Sequence, residues 1–192
     1  MKTAFYIIVD VSGSMNEMGK IHLQRNLCRY AAQIQGIDQE KYADLEIRFY
    51  QWAQDISEIA IQSDGDIPLL NTEDSSSLNV LSDFLSKILN ATRKPIVLIL
   101  SDGNVPNSDI SGFQKRLSSL SDLIIGTVAV GADADLLKLK KISTNNRVHL
   151  SENISSAIDS ALFSIDVHLT AATSTAQIMQ SEPIKSEEDW DA

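Results

Sequence analysis

The chain has 192 residues, of which 43% are hydrophobic and 22% are charged, and its formal net charge is −10. These values are typical of one globular domain that is large enough to bury its own hydrophobic core. The negative charge disfavours nucleic acids and anionic membranes as partners, and no apolar run approaches the roughly 18 residues that a membrane-spanning helix needs.

The first half of the sequence alternates between strand and helix patterns. Residues 3–10 contain an unbroken run of aromatic and β-branched residues, which is typical of a central strand covered on both faces. Apolar residues then recur at helical spacing over 20–35, and Gly36 is the predicted stop of that helix. Two further strands, 45–52 and 56–61, are separated by a short turn, so they are predicted to form an antiparallel hairpin.

The second half repeats the alternation. The predicted elements are, in order, helix 78–89, strand 96–101, helix 109–120, strand 123–130, a helix capped by Asp133, edge strand 148–150 and helix 154–165. Strands that alternate with helices favour a parallel sheet. The sequence therefore predicts a doubly wound α/β fold, in which a mostly parallel six-stranded sheet has one antiparallel edge strand and helices on both faces.

Three oxygen-bearing side chains come after the first strand at alternate positions: Asp10, Ser12 and Ser14. They lie where a buried strand turns into a loop, which Gly13 and Gly19 also indicate. One carboxylate with two hydroxyls suits a hard divalent cation. The first strand therefore ends in a candidate metal-binding loop.

A second acidic residue, Asp102, comes directly after strand 96–101 and precedes a glycine. Ligands of open α/β sheets bind at the carboxyl ends of the strands. If the two strands are parallel neighbours, Asp10 and Asp102 emerge side by side, and a cation between them would relieve their repulsion. A soft metal is disfavoured, because neither Cys nor His occurs in this set.

The DxSGS motif that begins at Asp10, together with the SDG motif that contains Asp102, resembles the metal-ion-dependent adhesion site of von Willebrand factor type A domains. The resemblance covers residues 1–168. It implies the same sheet with one antiparallel edge strand. It also implies a bound Mg²⁺ ion, with Mn²⁺ or Ca²⁺ as alternatives, at the ends of the strands.

The family's third motif is a Thr in a glycine-containing loop at the start of a middle helix. This sequence has three consecutive serines there and no glycines. Ser76 aligns best by its distance to Leu78 and Leu85, with Ser75 and Ser77 as alternatives, although serines here would also serve as helix N-caps. The ligands implied by the resemblance are Asp10, Ser12, Ser14, Ser76 and Asp102.

The resemblance implies a function without turnover: metal-dependent binding of a protein partner that presents an acidic residue. For bacterial members it also implies work as an intracellular adaptor or scaffold beside a kinase, phosphatase or ATPase. The turn at Gly131-Ala132-Asp133 resembles the tellurium-resistance-associated (TerY-like) subgroup, which would place the protein in a stress response.

The alternative is a magnesium-dependent phosphatase-like enzyme that uses Asp10 as its nucleophile. Haloacid-dehalogenase phosphotransferases, which this arrangement superficially resembles, have a second Asp two residues further on as the general acid. Ser12 stands there instead, and serine is a poor general acid. The sequence has no GxSxG, P-loop or dinucleotide-binding motif.

Residues 169–192 lose the apolar periodicity and become acidic, with Trp190 set among the acids. Low hydrophobicity with high charge predicts a flexible tail after a domain of residues 1–168. We hypothesise that the tail's carboxylates reach the metal of the same or a neighbouring molecule and block it until a partner displaces them.

The single cysteine, Cys28, cannot form an internal disulfide, and it is predicted to be a small buried residue of the first helix. The N-terminus lacks the basic start and cleavage site of a signal peptide. Both features favour a reducing, cytoplasmic location.

Overall fold

The computed structural model describes residues 2–62, 64–92, 94–120 and 122–162. The strands are β1 Thr3–Asp10, β2 Leu45–Trp52, β3 Ile56–Glu58, β4 Ile96–Ser101, β5 Ile124–Ala129 and β6 Val148–Leu150. The helices are α1 Lys20–Ile37, α2 Gln39–Tyr42, α3 Leu78–Ala91, α4 Asn107–Leu117, α5 Leu136–Ile142 and α6 at residues 154–162. Two 3₁₀ segments, Gly13–Gly19 and Ser151–Asn153, precede α1 and α6.

The six strands form one sheet in the order β3-β2-β1-β4-β5-β6. Every neighbouring pair is parallel except β2 and β3, which form the antiparallel edge pair. The predicted fold class is therefore confirmed. β1 lies between β2 and β4, so the loops after β1 and β4 leave the same edge of the sheet side by side.

Two hydrophobic cores, one on each face of the sheet, arise from the alternation of side chains along the strands. Phe5, Ile7 and Val9 of β1 belong to the core that α1 and α6 cover, and Tyr6 and Ile8 belong to the core that α3, α4 and α5 cover. All five are buried. The apolar run in β1 is unbroken because both of its faces are covered.

The structure corrects several boundaries. Gly36 lies inside α1, which continues to Ile37, so the predicted stop is wrong. Asp38 ends the helix, because its side chain accepts a 3.0 Å hydrogen bond from the N–H of Lys41 and so caps α2. α4 begins and ends earlier than predicted, at Asn107 and Leu117. The apolar periodicity locates these helices, but their ends depend on local contacts such as the cap at Asp38.

The C-terminal predictions fall largely outside the described residues. Helix 154–165 is described to residue 162 only, and residues 169–192 lie outside. Among the helices that are described, none is both long and apolar enough to cross a bilayer.

Candidate metal centre

The two predicted acidic positions lie next to each other at the carboxyl edge of the sheet. β1 and β4 are paired in parallel, with Val9 opposite Leu100. One residue further along, the hydroxyl of Ser101 donates a 2.6 Å hydrogen bond to Oδ2 of Asp10. Asp10 is therefore in contact with the residue that directly precedes Asp102. The two aspartates thus stand at the carboxyl ends of neighbouring parallel strands.

Asp10 is fully buried, and its hydrogen bonds come from neutral donors. The N–H of Ser12 donates to Oδ1 at 2.9 Å, and Ser101 donates to Oδ2. Burial raises the pKa of Asp10 to about 6; these hydrogen bonds oppose the increase, and the nearby charge of Asp102 adds to it. Asp10 is thus a buried carboxylate whose negative charge is poorly compensated.

The loop after β1 carries the two predicted hydroxyl ligands. Ser12 and Ser14 lie with their Oγ atoms 3.3 Å apart, and Ser12 is buried. Between them, a Cβ at Gly13 would stand 3.2 Å from the carbonyl oxygen of Asp74. Glycine therefore lets the middle loop approach closely, and the N–H of Gly13 donates to that same carbonyl.

The three serines of the middle loop differ in their contacts. Ser77 caps α3 by accepting a hydrogen bond from the N–H of Val80, and Ser75 is hydrogen-bonded to the side-chain amide of Gln54. Ser76 is 8% exposed, and its buried Oγ has no hydrogen-bond partner among the described residues. Of the three, Ser76 is the one whose hydroxyl is left for a ligand.

Asp102 differs from Asp10 because a lysine neutralises it. Lys20, the first residue of α1, is 2% exposed, and its Nζ lies 2.8 Å from Oδ2 of Asp102 and 2.9 Å from Oδ2 of Asp133. Oδ1 of Asp102 accepts a hydrogen bond from the N–H of Asn104. Burial lowers the pKa of Lys20, but its hydrogen bonds to the two carboxylates outweigh burial, so the pKa is raised and Lys20 remains a cation.

The structure corrects the predicted role of Asp133. The side chain that caps α5 is Asp135, which accepts a hydrogen bond from the N–H of Lys138. Asp133 lies in the turn before the helix, where it binds Lys20 instead. An ammonium group within reach is a stronger partner for a carboxylate than a backbone N–H, and the turn at Gly131 brings Asp133 to it.

Sequence reasoning missed Lys20, although a signal was present. Lys20 precedes Leu27 by seven residues and Ala31 by eleven, so it falls on the apolar stripe of α1 that faces the sheet. Gln24, one turn along, is also fully buried and donates to the carbonyl of Leu100. A polar residue on the buried face of a helix indicates that a polar partner lies in the protein interior opposite it.

The oxygen atoms at this edge fit a hard divalent cation. Mg²⁺ and Ca²⁺ accept carboxylate and hydroxyl oxygens as ligands, and the hydroxyl of Ser76 has no hydrogen-bond partner among the described residues. A site built from Cys, His and acidic residues has no support, since the described residues contain no cluster of three or more of these types. Cys28 is buried in the core, and burial raises its thiol pKa to about 12, so it is unreactive.

A polar groove of about 580 Å³ opens beside the candidate centre. The middle-loop serines, including Ser76, form one wall, and the loop after Asp102 forms the other. Gln54, Asn104 and Asn107 line it with amide groups, and Asp109 and Lys138 line it with charges. Of the five candidate ligands, Ser76 is the one that lines this groove.

No family model matches the sequence, and no curated protein matches it either. Solved structures do match. The von Willebrand factor domain of the type V pili tip protein Mfa5 from Porphyromonas gingivalis matches with a TM-score of 0.60 at 9% identity, over 88% of this chain and 96% of that chain.

Two longer proteins match as well. The ArnB paralog VWA2 from Sulfolobus acidocaldarius gives a TM-score of 0.55 at 15% identity, over 81% of this chain and 44% of that chain. Proximal thread matrix protein 1 from the mussel byssus, in a structure with a zinc-occupied MIDAS motif, gives a TM-score of 0.60 at 11% identity, over 83% of this chain and 46% of that chain. The chain thus spans less than half the length of these two proteins.

The chain therefore has the α/β fold of von Willebrand factor type A domains. A motif that holds a divalent metal occurs in at least one protein of this fold, the mussel matrix protein. At identities of 15%, 11% and 9%, these matches establish the fold of the chain.

Proposed function

We propose that the chain is a non-catalytic protein-binding module that depends on a divalent cation, with Mg²⁺ preferred and Mn²⁺ or Ca²⁺ as alternatives. The ligands would be Asp10, Ser12, Ser14, Ser76 and Asp102. The observation that carries the proposal is the buried hydroxyl of Ser76, which has no partner among the described residues. Such a group costs about 1–3 kcal/mol if it stays unsatisfied, and a metal ligand bond or an ordered metal-bound water would remove that cost.

In this proposal, some of the ligands contact the cation directly and Asp102 contacts it through water. Asp10 has a poorly compensated charge and is the main electrostatic anchor for a cation. Ser12 and Ser14 would add neutral oxygens from the loop after β1, and Ser76 would add one from the loop before α3. Asp102 is already paired with the Lys20 ammonium, whereas Asp10 has only neutral donors, so we propose that Asp102 contributes through a water molecule.

A bound Mg²⁺ would supply a coordination position that a partner's carboxylate can fill. The groove beside Ser76 is where we propose that the partner approaches. Its amide side chains, Gln54 and Asn107, can both donate and accept hydrogen bonds, which suits the main chain of an extended segment around the acidic residue.

Two measurements test this function. Calorimetric titration of Mg²⁺, Mn²⁺, Ca²⁺ and Zn²⁺ into EDTA-treated protein should detect uptake at one site. Co-purification from the native host should then recover a partner in Mg²⁺ and lose it in EDTA or with the Asp10→Ala variant. Retention of the partner under both conditions would overturn metal-dependent binding.

The phosphatase-like alternative gains no support from the geometry of Asp10. Its carboxylate is fully buried, and both oxygens accept hydrogen bonds, from Ser12 and Ser101. A nucleophile needs an open approach to the phosphorus atom, and Ser12 stands where the general acid would be. Release of phosphate from an aryl phosphate, abolished in Asp10→Asn, would reinstate the enzyme hypothesis.

We propose an intracellular bacterial adaptor or scaffold that works beside a kinase, phosphatase or ATPase, in the manner of TerY-like proteins. We also propose that the domain comprises residues 1–168 and that the acidic segment 169–192 competes with the partner for the metal. Deletion of residues 181–192 should then raise partner affinity, whereas unchanged affinity would dismiss the competition.

A further inference from the structure

A buried lysine contacts one of the candidate metal ligands. Lys20 is 2% exposed, and its ammonium group bridges Asp102 and Asp133 at 2.8 Å and 2.9 Å. Asp102 is 4% exposed, whereas Asp133 is 40% exposed. Asp102, the buried carboxylate of this ion-pair triad, is a candidate metal ligand, whereas Asp133 lies at the surface.

The fold makes room for this lysine. Gly131 has φ = +95°, and a Cβ at that position would stand 2.6 Å from Cδ of Lys20 and 2.8 Å from Oδ1 of Asp133. Any larger residue would displace the aliphatic stem of the lysine or the carboxylate it binds. The turn between β5 and α5 is thus shaped around Lys20, and the N–H of Asp135 ties this turn to the carbonyl of Asp102.

The triad explains how two buried carboxylates coexist without a metal. Asp10 and Asp102 share one corner of the sheet, and burying two uncompensated charges there would be strongly unfavourable. Lys20 neutralises one of them with an internal charge. The same positive charge repels a divalent cation at this corner, and Asp133 partly offsets that repulsion.

We propose that Lys20 is a resident counter-ion, a positioning residue that preserves the centre when it is metal-free and lowers its metal affinity so that metal binding is reversible. This inference rests on the proposed metal-dependent function. Lys20 holds Oδ2 of Asp102 while the N–H of Asn104 holds Oδ1, so the carboxylate keeps one geometry in both states. Asp133 sets how much of the lysine's charge the metal experiences.

The proposal predicts opposite effects for two neighbouring substitutions. Lys20→Met keeps the aliphatic stem and removes the cation, so Mg²⁺ affinity should rise at least about tenfold while the metal-free protein loses thermal stability. Asp133→Asn removes the carboxylate that offsets the lysine, so Mg²⁺ affinity should fall about two- to fourfold with little change in thermal stability. A purely structural triad would lower affinity in both variants.

The experiment is a calorimetric titration of Mg²⁺ and Mn²⁺ into the full chain, with thermal unfolding followed in EDTA and in saturating Mg²⁺. Lys41→Met is the matched control, because Lys41 also pairs with an aspartate, Asp159, which is not a candidate ligand. Its metal affinity should equal that of the wild type. Magnesium should raise the melting temperature of Lys20→Met by more than it raises that of the wild type.

Each outcome supports or overturns the counter-ion role. Changes of affinity with opposite signs in Lys20→Met and Asp133→Asn support the proposal, and changes of the same sign or no change overturn it. If Lys20→Met folds only with Mg²⁺, the counter-ion role is supported, and if it fails to fold at all, the affinity of Asp133→Asn decides. If the wild type takes up no divalent ion, the proposed function itself is refuted. If the wild type binds metal and both variants bind it with the same affinity, only the role of Lys20 is refuted.

Discussion

The two carboxylates of the candidate centre make an instructive comparison. Asp10 and Asp102 lie at the ends of neighbouring parallel strands, and both are buried. Asp102 is ion-paired with Lys20, whereas the hydrogen bonds of Asp10 come from a hydroxyl and a backbone N–H. Burial consequently raises the pKa of Asp10 to about 6.

The difference shows how the protein can fold before it binds a metal. A single internal cation neutralises one carboxylate, and the other can take up a proton or a metal as conditions dictate. Asp10 is therefore the side of the centre that should respond most strongly to metal, pH and substitution. Asp102 should respond less to metal and to substitution, because Lys20 already balances its charge.

The largest expected effect is the loss of metal binding in Asp10→Asn. Removing the charge of the main anchor should lower Mg²⁺ affinity at least about 100-fold, since even groups behind a metal ligand are worth about 10–100-fold. Asp102→Asn should lower it by a smaller factor, because the charge that it removes is already paired. Calorimetric titration of both variants checks the order of their Mg²⁺ affinities. A larger loss of affinity in Asp102→Asn than in Asp10→Asn would contradict the role given to Asp10.

The second prediction concerns pH. Because the folded-state pKa of Asp10 lies above its ordinary value of 3.8, the folded protein binds this proton more tightly than the unfolded chain does. The stabilisation is complete below pH 4 and is lost as the pH rises through about 6, by up to about 3 kcal/mol. Urea unfolding in EDTA should therefore show the free energy of unfolding of the wild type falling relative to that of Asp10→Asn across this range.

Saturating magnesium supplies the control for the pH series. A cation favours the charged carboxylate, so the relative loss between about pH 4 and 7 should shrink or reverse when Mg²⁺ is present. An identical difference between wild type and Asp10→Asn at every pH would mean that Asp10 has no unusual burial cost.

The proximity of the two carboxylates could be predicted from the sequence. The DxSGS and SDG motifs stand directly after two unbroken apolar runs, and parallel strands of an open sheet bring their carboxyl ends to one edge. The pattern of β1 and β4 thus predicted that Asp10 and Asp102 would lie close together. The mostly parallel sheet and its antiparallel hairpin were predicted from the same periodicity.

The electrostatic partner could not be assigned in the same way. Lys20 reaches Asp102 across 82 positions of sequence, and no local pattern records which carboxylate a buried lysine meets. The predicted cap at Asp133 failed for the same reason: Asp133 and Asp135 are both suited to begin α5, and the long-range contact of Asp133 with Lys20 decided between them. Ser76 was preferred among the middle-loop serines from its spacing, and the structure adds that its hydroxyl, unlike those of Ser75 and Ser77, has no partner among the described residues.

A smaller effect is expected for Ser76→Ala in the loop before α3. Loss of a neutral ligand should lower Mg²⁺ affinity about tenfold. The metal-free protein should keep or gain stability, because the variant removes a buried hydroxyl that has no partner among the described residues. Titration and urea unfolding in EDTA check the two halves, and unchanged affinity would exclude Ser76 as a ligand.

The smallest effect on metal binding is expected for Ser77→Ala, which tests the serine next to Ser76 in the middle loop. Ser77→Ala removes the N-cap of α3, so the free energy of unfolding should fall by about 1 kcal/mol. Metal affinity should not change, because this hydroxyl already accepts the N–H of Val80. Ser75→Ala, which loses an exposed contact with Gln54, is the matched control and should change neither quantity. If Ser77→Ala weakened metal binding and Ser76→Ala did not, the ligand would be Ser77. The lack of a partner for the Ser76 hydroxyl among the described residues would then need another explanation.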